Sequence, residues 1–121
     1  MTFKEVSYND LYNFHLTLWL PEDETKTISL LAYNDTDEPI GFVCILGSSI
    51  EVVEVFEYYQ NNGYGKELVE YAKEYILNKY DYVTLDPIEN WLIPFYENLG
   101  FHSTLKYKDN LSEFPTMKYE L

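Results

Sequence analysis

Gln60-Asn61-Asn62-Gly63-Tyr64-Gly65-Lys66 stands between an apolar, strand-like run from Ile50 to Phe56 and a helical run from Glu67 to Leu77. Two glycines one residue apart let the chain turn tightly with its backbone N–H groups facing one way. A helix that starts at such a turn adds the positive end of its dipole. The stretch therefore predicts an anion cradle of a size that suits phosphate or pyrophosphate. Two other glycine loops are excluded. A Walker loop needs glycine five residues before the Gly-Lys pair and Ser or Thr after it, but here Gln60 and Glu67 hold those places. A dinucleotide fingerprint needs a third small residue where this chain has Leu68.

What the segment resembles is the acyl-CoA loop of the GNAT N-acetyltransferase superfamily, Gln/Arg-x-x-Gly-x-Gly/Ala, read from Gln60 through Gly63 to Gly65. The run Val55-Phe56-Glu57-Tyr58-Tyr59-Gln60 stands where that family commonly has V-x-P-x-x-R/Q, with Glu57 in the proline's place. A second stretch, Phe95-Tyr96-Glu97-Asn98-Leu99-Gly100-Phe101, resembles the family's F-Y-E-x-L-G-F signature at the usual distance from the loop. Together they cover Ile50 to Phe101, and the first 49 residues carry no signature. The resemblance implies one α/β domain over residues 1–121, with a mixed, mostly antiparallel central sheet and helices on both faces. It also implies an acetyl-CoA-dependent N-acetyltransferase that acts on a primary amine by direct attack in a ternary complex. The competing expectation is a GNAT-like module that binds acyl-CoA or a protein partner with little or no turnover.

The chain has 121 residues, enough for one core without metal or disulfide support. Cys44 is the single cysteine and lies in the apolar run Ile40 to Leu46, so a buried thiol and a reducing compartment are expected. Apolar runs are too short to span a bilayer, and Met1 to Asp10 lacks a secretory start; the expectation is a cytoplasmic protein with no membrane partner. Net charge is -13, with 21 acidic residues against eight lysines and no arginine. Nucleic acid is therefore not an expected partner, because phosphate binding needs clustered cations. A cationic amine acceptor suits this surface.

Hydrophobic periodicity gives a strand at Phe3 to Val6, a helix over about Asn9 to Leu20, and strands at Thr27 to Tyr33, Ile40 to Leu46 and Ile50 to Phe56. After the Glu67 to Leu77 helix come a strand at Tyr82 to Leu85, a short helix ending near Gly100 with Pro94 in its first turn, and strands at Phe101 to Tyr107 and Thr116 to Leu121. This is the family's order of elements. Only about 26 residues precede the first long strand, a shortened N-terminal region compared with the family's opening strand and two helices. That implies an open acceptor site, a partner chain completing it as in a homodimer, or a large acceptor.

Acyl transfer to an amine needs a base for the ammonium proton, a donor to the developing oxyanion and an acid for the thiolate. Carboxylates on the strand before the cradle are candidates for the base. Period-two alternation places Glu51, Val53 and Val55 on one face and Glu54 on the other. Glu51 comes first because the family often carries Glu or His there, Glu54 second, and Glu57 falls on the bend before the loop. From the resemblance, Tyr96 is the acid, since a neutral phenol with a pKa of about 10 donates at pH 7. The resemblance also implies that the oxyanion donor is a backbone N–H near Val53 and that the pantetheine arm pairs with the Val53 to Val55 backbone. Gln60, Asn61, Asn62, Gly63, Tyr64, Gly65 and Lys66 form the cofactor loop. No metal site is expected: His15 and His102 have no cysteine partners and are assigned structural roles. Trp91 is a candidate for lining the acceptor cleft.

Overall fold

The computed structural model describes residues 1–7, 10–11, 27–87, 90–103 and 116–121. Among the described residues there are seven strands: β1 (Thr2–Val6), β2 (Ile28–Tyr33), β3 (Pro39–Leu46), β4 (Ser49–Val55), β5 (Tyr82–Leu85), β6 (His102–Ser103) and β7 (Met117–Glu120). Among the described residues two α-helices are complete, α1 (Tyr64–Leu77) and α2 (Ile93–Asn98). The strands form one sheet in the order β1-β2-β3-β4-β5-β7-β6. Every pairing is antiparallel except β4 with β5, which α1 joins as a crossover. The expected mixed, mostly antiparallel sheet is thus present.

Alternation along the strands divides the core between the two faces of the sheet. Leu30, Ala32, Val43, Ile45, Ile50 and Val83 pack with Leu68, Val69, Ala72 and Ile76 of α1 and with Tyr96, Leu99 and Phe101. Leu31, Phe42 and Cys44 turn the other way and pack with Leu11. Leu11 lies in a helical turn opened by a reciprocal cap: Asp10 N–H donates to Ser7 Oγ and Ser7 N–H to Asp10 Oδ2, both at 3.2 Å. The helix expected over Asn9 to Leu20 otherwise lies outside the described residues, as do His15 and most of the strand expected at Phe101 to Tyr107. Cys44 is buried and free, with its Sγ 3.5 Å from Ser29 Oγ. Among the described residues no helix is long and apolar enough to cross a membrane.

Two boundaries differ from the sequence reading. Helix α1 starts at Tyr64 rather than Glu67, because Gly63 at φ +81° serves as its N-cap and the second glycine is already inside the first turn. The β3–β4 register shifts between Cys44 and Ile45: Cys44 opposes Val52 while Ile45 opposes Ile50, which leaves Glu51 as an extra residue in a bulge.

Candidate active site

The bulge resets strand parity where the candidate base lies. Ile50, Val53 and Val55 all pack on the α1 face, whereas Val52 and Phe56 pack on the Leu31, Phe42 and Cys44 face. Glu54 stands directly opposite Phe42 and shares its face. Glu51 comes close to Cys44 as well. Burial pushes the Cys44 thiol up, Ser29 opposes that shift, and the Glu51 charge adds to it. Glu54 thus lies on the side of the sheet away from α1, as alternation places it, whereas Glu51 is the extra residue of the bulge, outside the alternation. Glu51 is exposed, and Glu54 is half-buried with its Oε2 shielded from solvent.

Beyond Ile50 the sheet opens. Phe56 N–H donates to the Ile40 carbonyl at 2.9 Å, and Gly41 opposes Val55. That parity joins the Val52 and Glu54 main chains to β3 and turns the polar groups of Val53 and Val55 toward β5. Pairing with β5, however, runs only through Ser49–Thr84 and Ile50–Leu85. Strand β5 then ends, and Pro87 two residues on has no N–H to extend it. Among the described strands none pairs with that edge past Ile50. On β3, Gly41 admits the close approach of β4, since a Cβ there would run into the Glu54 carbonyl.

The loop after β4 is braced by its own side chains. Gln60 Nε2 donates to the Val55 carbonyl at 3.0 Å, and Asn62 Nδ2 donates to the carbonyls of Gln60 (3.0 Å) and Tyr59 (3.2 Å). Asn61 at φ +67° and Gly63 at φ +81° give the turn two left-handed residues. Tyr59 anchors it to the β2–β3 hairpin by donating to Glu38 Oε2 at 2.9 Å. Hydrogen bonds from Thr36, Tyr59 and Asn34 hold the Glu38 carboxyl below its usual range, and the bond to Glu38 raises the Tyr59 phenol. Lys66 is exposed in the first turn of α1. A Cβ on Gly65 would lie 3.8 Å from Phe95 and 4.0 Å from Val55, so the loop, the end of β4 and the Phe95-Tyr96 pair converge.

The second motif has a physical reading of its own. Gly100 N–H donates to the Glu97 carbonyl at 3.0 Å and Phe101 N–H to the Tyr96 carbonyl at 3.1 Å, with Gly100 at φ +95°. This is a Schellman stop for α2, and its usual apolar contact is the Tyr96–Phe101 ring pair at 5.9 Å. Leu-Gly-Phe ends the helix, and the helix carries Tyr96. The Tyr96 ring is 9% exposed and packs edge-on against Phe95, and burial pushes its phenol above the usual value. At neutral pH it is a proton donor. Pro94 sits in the first turn of α2, as expected.

The outlying candidates are accounted for. Trp91 is 70% exposed, in the turn before α2. His102 lies on edge strand β6, 3.9 Å from Glu120. Among the described residues no three His, Cys, Asp or Glu side chains gather into a metal-ligand set. Lys73 was missed by the sequence reading: an α1 lysine that is buried, with its ammonium donating to the Leu99 carbonyl at 2.8 Å.

Comparison with known proteins agrees with this layout. The profile described as "Acetyltransferase (GNAT) domain" matches residues 25–103. No curated protein sequence gives a significant match. Among solved structures, a mutant of spermidine N-acetyltransferase from Vibrio cholerae superposes with a TM-score of 0.74 at 14% identity, covering 99% of this chain and 95% of that one. Nourseothricin acetyltransferase gives 0.60 at 20% identity, covering 98% and 82%. A GNAT-family acetyltransferase from Staphylococcus aureus gives 0.59 at 18% identity, covering 79% and 68%. At these identities the likeness is one of fold.

Proposed function

Because the chain belongs to the GNAT acetyltransferase family, we propose that it is an acetyl-CoA-dependent N-acetyltransferase that acts on a primary amine by direct attack within a ternary complex. The observation that carries this reading is the end of β4–β5 pairing at Ile50, which leaves the main-chain edge of Val53 and Val55 without a strand partner among the described residues, beside the point where the glycine turn meets the Phe95-Tyr96 pair. An edge of that kind suits an extended arm with alternating amides, and an uncapped helix start suits a pyrophosphate.

The residues present fit this donor. Backbone N–H groups from Asn61 to Lys66 would hold the pyrophosphate, with the Lys66 ammonium adding charge. Gln60 and Asn62 contribute by keeping the turn in shape. The Val53 and Val55 edge would hold the pantetheine arm. When bound, acetyl-CoA supplies an acetyl group activated as a thioester.

The chain's own groups then divide the proton work. Glu51 or Glu54 takes the first proton from the ammonium and frees its lone pair. The Val53 N–H faces the negative charge that develops on the acetyl oxygen. Tyr96 gives its phenolic proton to the departing sulfur and is restored by the second proton shed from the acylated nitrogen. Glu54 and Tyr96 lie on opposite faces of the sheet, so a base at Glu54 would reach the acceptor through the opening rather than from beside Tyr96. No covalent acyl-enzyme is needed. A net charge of -13 favours cationic acceptors such as polyamines, amino sugars or lysine side chains. A buried free Cys44 accords with a reducing, cytoplasmic setting.

The test is CoA release, followed with a thiol reagent, across a panel of those amines. Release that depends on the amine is expected. Acetyl-CoA binding with no release from any amine would instead leave an acyl-CoA-binding module.

A further inference from the structure

Lys73 occupies a position that its chemistry makes costly. Its side chain is 9% exposed, and the nearest described carboxylate, Glu70, is 3.6 Å away and itself 43% exposed. Withdrawing an ammonium from water is unfavourable unless its donors find strong acceptors. Here they do. The Nζ donates to the Leu99 carbonyl at 2.8 Å and lies 3.9 Å from the centre of the Tyr119 ring, with the Phe101 ring at 5.7 Å. Leu99 is the C-cap of α2, between Asn98 and Gly100, and its carbonyl is one that helix geometry leaves without an internal partner. A cation there also meets the negative end of the helix dipole.

Lys73 thereby links the two motifs. It belongs to the helix that begins at the glycine turn, and the residue it holds ends the helix that carries Tyr96. The Phe101 ring under its ammonium is the one that packs on Tyr96. At the other end of the same contact, Gly65 of α1 comes up against Phe95. Tyr96 thus sits between two ties from α1, one on each side along α2.

We propose that Lys73 is a positioning residue for acyl transfer, its ammonium fixing the Tyr96-bearing helix against the helix that starts at the glycine turn. The inference rests on the acyl-transfer reading. A methionine at 73 fills similar space, keeps the apolar contacts and leaves the Leu99 carbonyl without its donor. Misplacing a reacting group by about 1 Å costs on the order of 100-fold in rate, so Lys73→Met is expected to lower kcat by roughly 10- to 100-fold with KM for acetyl-CoA nearly unchanged.

The decisive measurement is a double-mutant cycle on kcat, run below the melting point of every variant with acetyl-CoA and the fastest amine of the panel. Lys73→Met should slow the wild type and leave Tyr96→Phe no slower than before, because a helper of Tyr96 has nothing to position once the phenol is gone. Losses that multiply would make Lys73 purely structural and overturn the proposal, as would an unchanged kcat in Lys73→Met. Should Lys73→Met not fold, Lys73→Arg replaces it. Arginine's longer planar head shifts the donors, so kcat should fall with KM preserved, and wild-type kcat would overturn the role. A wild type that releases no CoA with any amine would instead overturn the acyl-transfer reading, and this inference with it.

Discussion

Gly100→Ala tests how tightly the second motif is built. At φ +95° an L residue is strained, and left-handed backbone costs about 1–2 kcal/mol for any residue with a Cβ. The new methyl would also lie 2.8 Å from Cε2 and 3.0 Å from Cδ2 of Tyr119. That ring is held between Phe101, 5.9 Å away centre to centre, and the Lys73 ammonium at 3.9 Å, so it cannot yield freely. Overpacking of this kind costs about 1–3 kcal/mol. The smaller entropy of an unfolded alanine returns about 0.4–1 kcal/mol. The net expectation is a loss of about 1–4.6 kcal/mol, or roughly 4–18 °C in Tm for a domain of this size. Gly47→Ala is the control. Its φ is +60°, and the nearest atom to the new methyl would be the Tyr80 hydroxyl at 3.7 Å. Only the backbone cost applies there, and the net loss should be about 0–1.6 kcal/mol. Urea unfolding at pH 7 measures both, with equal m-values required for the comparison. Equal destabilisation at Gly47 and Gly100 would refute the packing argument.

Three further outcomes follow. Tyr96→Phe keeps the ring contacts and removes one donor, so turnover should fall roughly 10- to 1,000-fold with acetyl-CoA affinity little changed; unchanged turnover, with chemistry shown to limit the rate, would reduce Tyr96 to packing. Of Glu51→Gln and Glu54→Gln, the one that removes the base should depress activity most near neutral pH and recover as the amine loses its own proton, and whichever leaves the wild-type pH-rate profile unchanged excludes that carboxylate as the base. Glu38 is held below its ordinary value of 4.5 by Thr36, Tyr59 and Asn34. Its contribution to stability is therefore present above 4.5 and lost as pH falls through the lower folded value; Glu38→Gln should flatten that part of the stability profile, and an unaltered acid limb in urea unfolding would count against the tether.

Glycine chemistry and apolar spacing carried most of the architecture. The strand, turn and helix around Gln60 to Lys66 were legible because each residue type there has one strong backbone preference, and the same holds for Leu99-Gly100-Phe101 as a helix stop. The bulge was not legible. Nothing in Ser49-Ile50-Glu51-Val52-Val53-Glu54-Val55 marks one residue as extra, since its cause is register against β3. Gln60 and Asn62 face inward to backbone carbonyls, although their polarity suits a ligand equally well. Lys73 was missed for a different reason: it stands four residues after Val69 and three before Ile76, on the apolar stripe of α1, but a lysine is ordinarily read as surface whatever its place.

The central claim is that the glycine turn and the open edge of β4 take acetyl-CoA. The most direct measurement is the melting temperature of the wild type and of Gly63→Val, with and without saturating acetyl-CoA. Gly63 stands at the exposed N-cap of α1, and a Cβ added to it would have no described atom within 4 Å, so a side chain there meets ligand space and a strained φ rather than the core. At 100 times the dissociation constant the wild type should gain about 2.7 kcal/mol, close to 10 °C by the same conversion, while Gly63→Val melts at the same temperature with or without ligand. A wild type that acetyl-CoA leaves unmoved would contradict the account.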